Sequence, residues 1–215
     1  MTTETLVKEL ALKGQPIKPL PHPLTRFILW ALASIAAVAF GLAILGVRSD
    51  LSVVWAWPIQ VVLATGLVVS SVVAVLILIV PGRWNRSVYL IPVVFLAAWT
   101  AFNVYAAATD GNHGIGTGLN CVRNILALSV LPALLLIAAL RLTATPRTNY
   151  VLFLATLGVL ALSCLATRFV CPQDGAVHFL VWHYIPVVLL STLITLVGHL
   201  ISRCSEARGK GSQAF

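Results

Sequence analysis

The sequence predicts an all-α membrane protein of six transmembrane helices joined by short loops, with both termini cytoplasmic. Three observations predict it. The 215 residues are 60% hydrophobic and only 9% charged, whereas a soluble domain carries roughly 25% charged residues. Six apolar runs are long enough to cross a bilayer, which takes about 20 residues at the helical rise. The runs are continuously apolar instead of alternating with period two, so helices and not barrel strands are expected.

The runs cover 27–47, 58–80, 89–108, 122–140, 150–170 and 179–201. They divide the chain into an N-terminal segment at 1–26, one membrane domain at 27–201 and a polar tail at 202–215. Orientation follows from the basic residues, which stay on the cytoplasmic side. With the N-terminus inside, the inner segments hold Lys8, Lys13, Lys18, Arg26, Arg83, Arg86, Arg141, Arg147, Arg203, Arg208 and Lys210, and the outer ones only Arg48, Arg123 and Arg168. The net charge of +8 is therefore a topology signal with some attraction to anionic lipid. No basic stripe is interleaved with aromatics, so nucleic-acid binding is not expected. No cleavable signal peptide is expected either, because the first apolar run follows 26 mostly polar residues and exceeds a signal h-region.

In the N-terminal segment, Leu6, Val7 and Leu10 form the small apolar face of a short helix. Glu4 lies near its positive end and Gly14 is placed to stop it. The stretch from Pro16 to Pro23 is too proline-rich for helix and reads as an extended linker. So short a helix is marginal alone; it lies on the bilayer or folds against a cytoplasmic partner. Beyond the first span, Arg48 and Asp50 open an outer loop, and Trp55 and Trp57 mark the far interface. Pro58 can start span two, which ends in a basic turn at 81–86. Span three carries Pro92 and Trp99, and the glycines of the outer loop at 109–118 predict flexibility. With no lysine and no preceding strand, that loop is not a phosphate cradle. Span four begins at Asn120-Cys121 and contains Pro132, a candidate kink. A turn around Pro146 leads to span five, which runs out to Cys171-Pro172. Span six returns past Pro186 to His199. No half of the chain repeats the other, so the inverted repeats of transporters are not expected.

All six acidic residues lie outside the apolar runs. Coupled transporters keep ionisable groups within the membrane, so a pump is not expected. The candidate chemistry sits in CPQDGAVHFLVWH at 171–183 and in Asn120-Cys121-Val122-Arg123. Both cysteines fall on the outer face, and the short turn at 141–149 makes spans four and five antiparallel neighbours, within disulfide range if the facing angles agree. Cys121, at a helix N-terminus beside Arg123, is expected to be the more nucleophilic; Cys171 has Arg168 one turn earlier. Three readings stay open. They are a structural disulfide, a redox or soft-metal sensor with His178 or His113 as further ligands, and two unrelated interfacial cysteines. His183 reads as a hydrogen-bonded packing residue, Cys164 as apolar filler and Cys204 as a thiol facing the cytoplasm. No C-x-x-C occurs, so a quinone-linked disulfide oxidoreductase of the usual kind is not expected.

An ordered set of landmarks resembles the negative-regulator-of-sigma-F (NrsF) family, six-span bacterial anti-sigma factors. The set comprises Leu6-Val7, Leu10-Ala11, Pro16-Ile17, Pro19-Leu20, Arg26, Gly46-Val47-Arg48-Ser49-Asp50-Leu51, Pro81-Gly82 and Trp99. It continues with Cys121, Leu140-Arg141-Leu142, Pro146, Cys171-Pro172, Asp174, Trp182-His183 and Gly198. The resemblance implies a multi-pass protein of the bacterial inner membrane that holds an extracytoplasmic-function sigma factor. It implies that Cys121 and Cys171 respond in the periplasm to heavy-metal or oxidant stress such as chromate and cadmium. The signal then crosses through spans four and five. The His-x-x-x-Cys-x-x-Cys zinc motif of better-known anti-sigma factors is absent, and 26 residues are too few for a separate sigma-wrapping domain. Leu6, Val7 and Leu10 together with the cytoplasmic turns are then the expected sigma-binding surface. The leading expectation is an anti-sigma factor without catalytic activity or cofactor. The alternative is a membrane thiol-redox enzyme or small-molecule carrier using the same cysteines.

Overall fold

With no water in a bilayer core to satisfy backbone N–H and C=O groups, a continuously apolar segment closes its hydrogen bonds internally as helix. The computed structural model describes residues 3–5, 21–49, 56–80, 86–111, 114–141 and 149–211, and all regular structure among them is helical. The elements are α1 (Pro23–Leu45), α2 (Trp57–Leu78), α3 (Arg86–Thr109), α4 (Leu119–Arg141), α5 (Asn149–Thr167), α6 (Ala176–Phe179), a π-helical turn (Leu180–Tyr184) and α7 (Ile185–Gly211). They form six helical segments long and apolar enough to span a membrane, the sixth running through α6, the π turn and α7.

Ends follow local chemistry. Proline lacks an N–H and is tolerated in a first turn, and Pro23 starts α1 while His22 Nδ1 accepts the Leu24 N–H at 3.3 Å. The helix thus takes over the last four residues assigned to the N-terminal segment. Gly46, at φ 82°, closes α1 by donating its N–H to Leu42 O at 3.0 Å. The short helix expected around Leu6, Val7 and Leu10 lies outside the described residues, apart from a helical 3–5. The turns at 81–85 and 142–148 lie outside them too.

The most enclosed helix is α5. It packs on α2, α4 and α7, with α1 lying against α4 and α2, and α3 against α2. At Gly158 an added Cβ would sit 3.1 Å from Val72 Cγ2 and 3.3 Å from Ser71 Cβ. Small residues of this kind let helices approach closely where no hydrophobic force drives them together. The neighbouring of α4 and α5 is as expected. Buried polar groups find partners between helices: Gln60 Nε2 donates to Asn103 Oδ1 at 3.0 Å, and Trp30 Nε1 donates to Pro132 O at 3.0 Å. The outward faces stay apolar, with Leu29, Leu32, Phe40, Leu189 and Leu200 exposed, as a lipid-facing surface requires.

One end of the bundle carries residues 46–49, 114–118 and 168–175. The other carries the start of α1 and the end of α4. At this second end Arg26, expected to precede the first span, lies within α1, 6% exposed, and its Nη2 donates to Ala139 O.

Candidate functional site

Four side chains meet at the first of these ends. Cys121 comes from the first turn of α4, Cys171 from the connection after α5, and His178 and His183 from the two sides of the α6–π junction. One ligand atom from each lies within 4.8 Å of all the others, and all four residues are buried. Cys121 Sγ donates to Cys171 Sγ at 3.3 Å. His178 Nε2 lies 3.4 Å from Cys171 Sγ and 3.7 Å from Cys121 Sγ. Both cysteines are free thiols.

Local chain geometry explains the convergence. Residues five apart lie on different faces of an α-helix, where neighbours are three or four apart. A π turn adds one residue per turn and bonds i to i+5; here the Ile185 N–H reaches Leu180 O. His178 and His183 are thereby brought to the same side. Pro186 follows directly; it has no N–H for Trp182 O, and its ring crowds that carbonyl, so the α ladder has to loosen at this point. Pro172 ends the preceding helical run, and Cys171 N–H closes it on Thr167 O at 2.9 Å.

Surrounding bonds fix the four residues. Ile115 O, which can only accept, takes a hydrogen bond from His178 Nδ1 at 2.9 Å and another from Trp182 Nε1 at 3.1 Å. In the neutral ring this leaves the Nε2 lone pair of His178 aimed at the sulfurs. Asp110 Oδ2 accepts the Ala176 N–H at 2.6 Å, tying the loop after α3 to the start of α6. Arg48 Nη1 bonds Cys171 O at 3.1 Å and Asp174 Oδ2 at 2.8 Å, and Arg168 Nη2 lies 3.8 Å from Asp174 Oδ1. The Arg168 guanidinium also sits 5.1 Å over the Phe179 ring, and that ring stacks on His183. Two of the loop glycines allow close packing. Gly116 adopts φ 56°, and a side chain there would collide with Gln173, as one at Gly118 would with Trp182. A cleft of about 360 Å³ lined by Gly114, Gly116, Pro172, Gln173, Asp174, Gly175 and His178 opens beside the group.

The structure brings together Cys121, Cys171 and His178, the three residues singled out as a sensing site. Unrelated cysteines are excluded by their contact. His113 lies outside the described residues and the side chain of Cys204 outside the described side chains, and Cys164 is fully buried between helices, apart from the group. Sequence reasoning missed two members. His183, read as a hydrogen-bonded packing residue, is 0% exposed, and neither nitrogen is in hydrogen-bond geometry with any of the described residues. Arg48, read as part of a loop, clamps the Cys171 connection. The legible signal was Pro186 four residues after Trp182; nothing local pointed to Arg48. Arg123, expected to favour the Cys121 thiolate, is exposed, and the hydrogen bond from Cys121, first among several causes, holds Cys171 below the ordinary thiol value.

A pair of thiols with two imidazoles can form a disulfide or bind a soft or borderline metal ion. No match was found among curated proteins or among solved structures. The family model described as negative regulator of sigma F (NrsF) matches residues 10–203, most of the chain. With its six apolar helices and its paired cysteines at one end, the chain belongs to the negative regulator of sigma F family.

Proposed function

We propose that the protein is an anti-sigma factor of the bacterial inner membrane, with both termini in the cytoplasm. It sequesters an extracytoplasmic-function sigma factor and releases it when Cys121 and Cys171 meet heavy-metal or oxidative stress in the periplasm. It works without catalysis. The observation that carries this reading, beside the family, is the contact of the two thiols at 3.3 Å between α4 and the connection after α5. Either form of stress redraws that contact. A peroxide oxidises the two thiols to one S–S bond and is itself reduced to two waters, drawing the sulfurs to about 2.05 Å. A thiophilic ion instead displaces both thiol protons and sits between the sulfurs. In each case α4 shifts against α5.

A route for the shift runs along α4. Its other end is joined to α1 by Arg26 at Ala139 O and by Trp30 at Pro132 O, and residues 1–22 precede α1 in the chain. Leu6, Val7 and Leu10 in that segment, with the cytoplasmic turns, form the proposed sigma-binding surface. A switch from 1:99 to 99:1 takes a differential affinity of about 10⁴-fold, so a partial response is the more economical use of so small a surface. The test is a pull-down of the detergent-solubilised chain from its native cell, with and without residues 1–20. A sigma factor recovered with the full chain and lost on truncation supports the reading. Recovery of a bound quinone or haem, and no sigma factor, would favour a membrane redox enzyme instead.

A further inference from the structure

The geometry points to a resident zinc(II) ion held by Cys121, Cys171, His178 and His183, with His183 as the ligand that completes the site. The inference rests on the sensing role proposed for the two cysteines and names what they hold at rest. Three observations carry it. First, the donor set is S₂N₂ and closed, the composition of structural zinc sites. Metal–ligand bonds of about 2.3 Å to sulfur and about 2.05 Å to nitrogen, set tetrahedrally, place ligand sulfurs about 3.8 Å apart and sulfur and nitrogen about 3.6 Å apart. The observed separations are 3.3 Å between sulfurs and 3.4 and 3.7 Å from each sulfur to His178 Nε2. The nitrogen is already in place, and the sulfurs have to part by about half an ångström.

Second, His178 carries the outer partner that metal-bound histidines characteristically have. Its Nδ1 donates to Ile115 O at 2.9 Å, which fixes the tautomer with Nε2 free to ligate. Third, His183 is fully buried and neither of its nitrogens is in hydrogen-bond geometry with any of the described residues. Buried polar atoms are nearly always satisfied. The side chain that approaches the ring as a hydrogen-bonding group is Cys171, itself a ligand, and an ion within reach of the other three ligand atoms supplies the partner in proper geometry. The π turn, a backbone device concentrated at functional sites, exists where it aligns these two imidazoles. The cleft bordered by Gly116, Pro172 and His178 gives the ion a way in.

Binding is balanced without a redox step: zinc enters, the two thiols release two protons to solvent, and the bound site is formally neutral. The resting sensor is then two thiolates capped by an ion. A softer ion displaces zinc, and a two-electron oxidant such as peroxide takes the sulfur electrons, forms the disulfide and expels zinc.

The test uses the full chain, purified in detergent under reducing conditions from zinc-supplied cells. Metal per chain and co-purified sigma factor are measured on the same sample, beside His183→Phe. Phenylalanine keeps a ring to stack on Phe179 and removes both unpartnered nitrogens. A packing role for His183 therefore predicts unchanged zinc content and equal or greater stability. The site predicts about one zinc per wild-type chain and an affinity loss in His183→Phe beyond the roughly 100-fold typical of losing an outer-shell partner. If that variant does not fold, cobalt(II) titration of the wild type decides. Tetrahedral d–d bands with thiolate-to-cobalt charge transfer support the site, and a spectrum lacking them overturns it. A wild-type chain that retains no zinc against a weak chelator, or a His183→Phe chain that binds it equally, also overturns the site. Sigma recovered with a zinc-free chain removes the site and leaves the anti-sigma reading standing, whereas zinc without sigma does the reverse.

Discussion

The two ends of the helical bundle solve the problem of buried polarity in different ways. At the cysteine end the charges and dipoles are interlocked: Arg48 and Arg168 share Asp174, Ile115 O serves both His178 and Trp182, and Asp110 caps Ala176. At the opposite end a single arginine, Arg26, is buried between α1 and α4. It has one carbonyl partner, while its Nε and Nη1 have none among the described residues. The first arrangement holds two sulfurs and the His178 nitrogen within 3.7 Å of one another. The second holds its arginine by one bond, which a small displacement can break, with the Trp30 bond to Pro132 O a turn and more deeper. A fixed site and a loose joint, linked by α4, suit the sensing role proposed above.

The largest effect is expected from removing the sulfurs. Changing Cys121 and Cys171 together to serine should abolish the response to metal and oxidant, with sigma retained, as read from sigma-dependent transcription; a response that survives breaks the assignment of this end as the sensor. Next comes the clamp. Asp174→Asn leaves two arginines sharing no carboxylate, and should cost about 2 kcal/mol in denaturant unfolding. That is less than the about 3–5 kcal/mol of a fully buried pair, because the Asp174 side chain is 26% exposed. Gly118→Ala forces a methyl into Trp182 and should cost about 1–2 kcal/mol. It should also lower the affinity for added zinc by about 10-fold or more through the loosened Ile115 carbonyl. The smallest change in stability is expected at the other end. Arg26→Leu removes two unsatisfied nitrogens along with one hydrogen bond, so unfolding should be unchanged or stabilised by about 1 kcal/mol. Zinc binding should not move, while the coupling of cysteine chemistry to sigma release should weaken. If Arg26→Leu instead responds like the wild type, the joint is only structural.

Much of this was legible beforehand. Continuous apolar runs must become helices in a bilayer, and each of the six spans starts within four residues of its expected position, while the last helix runs on past 201 to Gly211. That Cys121 and Cys171 come to the same end of neighbouring helices was also legible, since a short turn after span four makes α4 and α5 antiparallel; which way the two side chains face was not. His183 was not legible in the same way. Its separation from His178 is wrong for an α-helical face, and only the π turn corrects it. Arg48 belongs to a different loop, 123 residues before Cys171, and local pattern cannot pair residues so far apart.

By itself, then, the sequence determined the helices, their number and the chemical character of the residues at 121 and 171–183, because backbone hydrogen bonding and hydropathy are local properties. The tertiary structure alone decided which of those residues face one another. It placed the Ile115 carbonyl behind His178, Asp174 between two arginines, and both His183 nitrogens in a buried space with no partner in hydrogen-bond geometry among the described residues. These facts depend on three loops meeting at one end of a bundle, and on one extra residue in a helical turn.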